Sequence, residues 1–88
     1  MVRGKLENGF EFEIDEEMLD DMRFIELLSA TYNDPVKVID LANFALGSEQ
    51  KERLYKHLED EKGRVRTQAF SDAMEEIFEK AGETVKNS

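Results

Sequence analysis

Apolar and charged residues alternate in two short runs at the start of the chain, on either side of an Asn-Gly pair. Such alternation is typical of β-strands with one buried face, and Asn8-Gly9 is a strong turn signal. A three-residue loop at 7–9, with Gly9 in a left-handed bulge, gives a register that pairs apolar residues on one face and opposite charges on the other. We therefore predict a β-hairpin with strands at about 2–6 and 10–14. The predicted pairs are Leu6 with Phe10, Gly4 with Phe12, Val2 with Ile14, Lys5 with Glu11 and Arg3 with Glu13.

Two segments with helical spacing come next. Asp15 is the expected N-cap of a first helix at about 16–31, and Asp34 followed by Pro35 is typical of the start of a second helix at about 35–46. The second helix is the most apolar segment of the chain, so we expect it to be central to the fold. The predicted buried face of the first helix consists of Met18, Met22, Ile25 and Leu28.

The rest of the chain predicts two more helices. Gly47 is expected to end the second helix in a left-handed conformation, and a mostly charged third helix follows at about 49–59. The fourth helix, at about 68–81, has the cleanest amphipathic pattern, and Gly82 is expected to end it. The predicted fold is therefore mostly α with an N-terminal β-hairpin (α+β). The hairpin and four helices form a single compact domain over 1–82, and a flexible tail covers 83–88.

Composition narrows the functional classes. The chain has 88 residues, no cysteine and a formal net charge of −9. No disulfide or thiolate metal site can form without cysteine, and the acidic balance argues against nucleic acid as a partner. No apolar run reaches the roughly 18 residues that a membrane span needs, so we expect no membrane association and a cytoplasmic protein.

Residues with catalytic potential are few. His57 is the single histidine, and a metal site or a nucleophile–base pair needs several converging groups. An EF-hand alignment on Gly63 places Leu58 and Ala69 where calcium ligands belong, which disfavours calcium. The acidic clusters are interpreted as helix caps and solubilising charge. We expect no enzymatic activity, no cofactor and no metal.

The number of apolar helix faces points to a protein-binding role. The hairpin and three of the four predicted helices each have a wide apolar face, which is more than a domain of this size readily buries. Phe44 interrupts a polar stripe, and Phe24 and Leu27 lie off the main stripe of the first helix. The predicted partner-binding residues are Phe24, Leu27, Phe44 and Leu46.

Four segments together suggest a family. The chain resembles the small tail assembly chaperones of long-tailed, siphovirus-type phages and prophages of Gram-positive bacteria, and the similarity spans about residues 5–79. Lys62 and Arg66 depart from the pattern, in which an acid and a proline are expected. The segments are 5–15 (KLENGFEFEID), 46–51 (LGSEQK), 60–65 (DEKGRV) and 77–79 (IFE).

The resemblance implies a non-enzymatic chaperone in the host bacterial cytoplasm. Its client would be the tape measure protein, which it would keep soluble until the tail tube polymerises, and the tail tube protein is a second candidate partner. Homo-oligomerisation stays open. Two alternatives also stay open: an acidic protein that mimics DNA and inhibits a nucleic-acid enzyme, and a generic oligomeric protein-binding adaptor.

Overall fold

The N-terminal hairpin forms in the predicted register, with antiparallel strands β1 (Val2–Lys5) and β2 (Glu11–Ile14). The Leu6 N–H donates to the Phe10 carbonyl at 2.8 Å, the Gly9 N–H donates to the Leu6 carbonyl at 2.9 Å, and Gly9 has a φ of 94°. The three-residue loop is therefore confirmed. The paired residues are Val2 with Ile14, Arg3 with Glu13, Gly4 with Phe12 and Lys5 with Glu11.

Two local features fix the hairpin, one within it and one that joins it to a helix. A Cβ added at Gly4 would lie 2.6 Å from two ring carbons of Phe12, so glycine leaves the space that the ring occupies. At the outer edge of β2, the side-chain amide of Gln50 accepts from the Glu13 N–H at 2.7 Å and donates to the Glu13 carbonyl at 2.8 Å. The amide thus pairs with the strand edge much as a neighbouring strand would.

This computed structural model describes the backbone of residues 1–87 and the side chains of residues 1–83. In it, the first predicted helix is divided in two. A short 3-10 helix (Glu16–Asp20) follows Asp15, the backbone is extended at Asp21, and α1 (Met22–Asn33) then begins. Asp15 accepts from the Glu17 N–H at 3.0 Å and Asp21 from the Arg23 N–H at 2.8 Å. The predicted boundary at 16 is wrong for the α-helix because Asp21 is a second N-cap.

The prediction of four helices is also wrong, since within residues 1–87 three α-helices follow the hairpin. Asp34 and Pro35 open a 3-10 turn (Pro35–Lys37), as expected of a helix start, and α2 (Val38–Leu58) continues from it. α2 spans both the second and third predicted helices. Gly47 nevertheless has φ 77° and ψ 159°, so the predicted interruption is present as a kink within one element.

The last helix, α3 (Thr67–Asn87), is longer than predicted. Gly82 is not among the glycines with positive φ, so it continues the helix and does not end it. The predicted flexible tail at 83–88 overlaps this helix up to Asn87, and Ser88 lies outside the described residues.

The core lies between the apolar face of the hairpin and the two long helices. The radius of gyration is 12.6 Å, close to the roughly 12 Å expected of a single compact domain of this length. The core residues are Val2, Leu6, Phe10, Phe12 and Ile14 from the hairpin, Ala42, Leu46 and Leu54 from α2, and Phe70, Ala73, Met74, Ile77 and Ala81 from α3.

Candidate partner-binding site

Two of the four predicted partner-binding residues lie in the interior. Phe24 is buried and packs edge-on against Phe78 of α3, with ring centroids 5.2 Å apart. Leu46 is buried in the core cluster below the hairpin. The expectation that Phe24 and Leu46 are exposed for binding is therefore wrong. Phe24 is covered by α3, and Leu46 packs in the core beside the hairpin.

The other two predicted residues keep partial exposure. Leu27 is half-buried, and Phe44 is 37% exposed on α2. Since Phe24 and Leu46 are buried, the four residues do not form one surface. Phe44 stays a candidate contact by itself, and its role in binding stays a prediction.

Part of the apolar face that the sequence pattern predicted to be buried in the first helix is exposed. Met22 is 69% exposed and Ile25 is also exposed, whereas Phe24 faces the core. The error has a physical cause. Met18 belongs to the 3-10 helix, and the extended residue Asp21 breaks the helical phase, so Met18 does not share a face with Met22 and Ile25.

A cleft of about 600 Å³ opens between the end of α1 and the outer face of α3. Leu28 and Tyr32 line one wall, and Met74 and Phe78 line the other. Tyr32 is 82% exposed, the largest exposure among the large hydrophobic residues of the described side chains. The apolar floor and the open aromatic ring make this cleft suited to a partner side chain.

A second cleft, of about 570 Å³, continues the first along the N-terminal half of α3. The two clefts share Pro35, Val38 and Ser71 in their walls. Val36, which is 69% exposed, and Ile39, which is also exposed, lie on one side of the second cleft. We call the two clefts together the apolar groove. It is bounded by residues 28–41 on one side and by residues 65–79 on the other.

Charged residues stand at both ends of the apolar groove. Glu75 and Glu79 border it beside Tyr32. At the other end, Arg64 and Arg66 flank Val65, which lines both the groove and a shallow depression next to it. The groove is thus lined mostly by apolar residues, with two glutamates in the wall at one end and with Arg64 and Arg66 in the depression next to the other end.

Sequence reasoning did not find Tyr32, Val36 or Ile39. The sequence feature that could have indicated their exposure is the position of Tyr32 and Val36 on either side of the helix junction at Asp34 and Pro35. A junction between two helices lies at the surface, and apolar side chains beside it have little core to enter. Their exposure depends on how α1 and α2 pack against α3, which a local window of sequence does not contain.

Several aspartates accept hydrogen bonds from backbone N–H groups. Asp34 accepts from the Val36 N–H at 3.2 Å, and Asp60 accepts from the N–H groups of Lys62 and Arg64 at 2.9 and 3.0 Å. These two backbone donors to Asp60 lower the pKa of its carboxyl below the ordinary value. The interpretation of these residues as caps is confirmed for Asp34, and Asp60 closes the loop before α3 in a similar way.

His57 has a structural neighbour in the hairpin loop. Its Nε2 donates to the Asn8 carbonyl at 2.9 Å, and the centroids of its ring and the Phe10 ring are 5.6 Å apart. Within residues 1–83, whose side chains the structure describes, no three histidine or acidic side chains come together as a metal site would require.

Within the described part of the chain, no helix combines the length and apolar character that a membrane crossing requires. Compared with known proteins, the chain matches no family model, no curated protein and no solved structure.

Proposed function

We propose that this chain is a tail assembly chaperone that binds an apolar helical segment of the tape measure protein in the apolar groove. The observation that carries the proposal is the exposure of Tyr32, Val36 and Ile39 along two adjacent, mostly apolar clefts that share wall residues. Exposed apolar side chains that adjoin one another on a small domain are typical of a surface that a partner covers.

The shape of the groove favours a helix as the occupant. On the α3 side its lining residues recur at helical spacing from Thr67 to Glu79, so the groove runs along that helix. The twelve steps of 1.5 Å from Thr67 to Glu79 give a length of about 18 Å, which is three to four turns of a partner helix. An amphipathic helix that places its apolar side chains in such a groove is a common mode of protein recognition.

The identity of the client is supported by the resemblance of segments 5–15, 46–51, 60–65 and 77–79 to small tail assembly chaperones. A long helical client with exposed apolar stripes aggregates readily before it is assembled. A domain that covers those stripes would prevent this, and its net charge of −9 would keep many bound copies apart and in solution.

Co-expression with the tape measure protein encoded in the same genome tests the proposal. Val36→Asp places a charge in the groove and should leave the client insoluble, whereas the unaltered chain keeps it soluble. Met22→Asp is the matched control, because Met22 and Val36 are both 69% exposed and Met22 does not line the groove. The control should keep the client soluble.

A third variant separates the groove from the contact predicted from sequence. Phe44→Ser removes the exposed ring of α2 outside the groove and should preserve client solubility. If Val36→Asp also preserves it while Phe44→Ser abolishes it, the partner binds at Phe44 and not in the groove. If the unaltered chain fails to keep the client soluble, the proposed function is wrong.

A further inference from the structure

The two ends of the apolar groove differ in charge. Glu75 and Glu79 line the end beside Tyr32, one turn apart on α3. Arg64 and Arg66 border the opposite end, where Asp60 lies close enough to Arg66 to interact with it electrostatically. One end of the groove is therefore lined by two carboxylates, and Arg64 and Arg66 lie next to the other end, where Asp60 partly offsets the charge of Arg66.

We propose that the groove binds its partner helix in one orientation, with basic residues of that helix over Glu75 and Glu79 and acidic residues towards Arg64 and Arg66. This inference rests on the proposed function and adds to it the charge pattern of the bound segment. Complementary charges at the rim of an interface contribute to orientation and register more than to total affinity. The apolar contacts hold the helix, and the end charges decide which way it points.

A second copy of this chain is a poorer occupant. Each copy has a net charge of −9, so two copies repel each other, while a segment with basic residues is attracted. The groove is also concave, and a concave surface is filled by a convex one such as a single helix. The partner is therefore an amphipathic helix with a basic end.

Two synthetic peptides of about 14 residues, long enough to fill the groove, provide the probe. Both are amphipathic helices with a leucine stripe. One has glutamates on the polar face of its N-terminal half and lysines on that of its C-terminal half, and the other has the reverse order. Each carries a nitroxide spin label at its lysine end. Line broadening of amide signals of the isotope-labelled protein then reports where the lysine end lies.

We expect broadening near Glu79 and Leu28 with both peptides, because the charges and not the chain direction set the orientation. Glu75→Gln with Glu79→Gln should weaken binding about three- to tenfold, as expected for two solvent-exposed ion pairs. In a variant with Glu75→Lys, Glu79→Lys, Arg64→Glu and Arg66→Glu, broadening should move to the amides around Val65. The dispersion of the amide spectrum verifies that each variant is folded.

Other outcomes overturn the inference and are distinguishable from failure of the proposed function. Broadening near Val65 in the unaltered protein, or equal broadening at both ends, means that the charges do not orient the helix, while the groove still binds one. Absence of peptide binding overturns it as well, and client solubility in co-expression then decides the function separately. A dimer of the protein alone with the groove amides protected means that the occupant is a second copy.

Discussion

Gln50 is a buried polar side chain that joins the hairpin to α2. Its amide makes two hydrogen bonds to the backbone of Glu13, at 2.7 and 2.8 Å, and a third to the Leu46 carbonyl at 3.1 Å. A hydrogen bond in the interior adds little net stability, but an interior polar group that loses its partner is costly. One residue therefore both satisfies the edge of β2 and keeps that edge from pairing with another chain.

Gln50→Leu keeps the volume of the side chain and removes its hydrogen bonds. The Glu13 N–H and carbonyl would lose their partners, so we expect the free energy of unfolding to fall by about 1–3 kcal/mol. Gln68→Leu is the control, since Gln68 is exposed and its amide donates to Asp72 at 2.8 Å, and it should change stability by less than about 0.5 kcal/mol. Urea denaturation of both variants provides the comparison. Equal losses would contradict this role of Gln50.

At the scale of the element, Gly82 distinguishes a continuous α3 from a helix that ends early. Gly82→Ala should raise the free energy of unfolding by about 0.5–1 kcal/mol, because alanine is the better residue inside a helix. Gly47→Ala is the matched variant in α2, where φ is 77° and ψ 159°, and it should lower stability by about 1–3 kcal/mol. An added Cβ meets no atom within 4 Å at either glycine. The difference in stability between the two variants therefore reports the backbone conformation at each glycine and not a steric clash.

Thermal denaturation of the two variants tests whether α3 continues past Gly82. If Gly82→Ala destabilises the protein as Gly47→Ala does, then Gly82 ends the helix, as the sequence pattern predicted. If it stabilises the protein, α3 continues past Gly82, as in the structure.

The loop that joins α2 to α3 should give the fold a dependence on pH. Backbone donors hold the pKa of Asp60 below its ordinary value of 3.8, so its carboxylate stabilises the folded state above that pH. The contribution is lost as the pH falls through the lowered pKa. Asp60→Asn should therefore be less stable than the unaltered protein near neutral pH, and the difference should vanish in strong acid.

Denaturant midpoints measured from pH 7 to about pH 2 test this expectation. Glu61→Gln removes one charge from the same loop and is the control, with a small difference from the unaltered protein at every pH. A constant deficit of Asp60→Asn over the whole range would show that ionisation of Asp60 does not contribute.

Much of the element structure could be predicted because its causes are local. The pairing of Gly4 with Phe12 follows from alternation and loop length, and the turn at Asp34 and Pro35 follows from capping geometry. The break at Asp21 was missed because Asp15 offered an equally good N-cap six residues earlier. The choice between the two caps depends on how the 3-10 helix and α1 pack, which is a tertiary effect.

At the scale of the whole molecule, the structure leaves several large apolar side chains exposed, but only part of them where the sequence predicted a binding surface. Phe24 is covered by α3, whereas Tyr32, Val36 and Ile39 at the junction of α1 and α2 are exposed, in addition to Met22, Ile25 and the predicted residue Phe44. A helical wheel identifies apolar faces but not their neighbours, so it cannot tell which face is covered. The groove is formed by side chains of α1, α2 and α3 together, so the sequence of no single helix indicates it.

The central claim is that the apolar groove is the surface that the client covers, and hydrogen exchange of the purified complex tests it most directly. Residues 28–41 and 65–79 should exchange more slowly in the complex than in the protein alone, while exchange in β1 and β2 stays unchanged. Slower exchange confined to the hairpin, or around Phe44 with the groove unaffected, would contradict the claim.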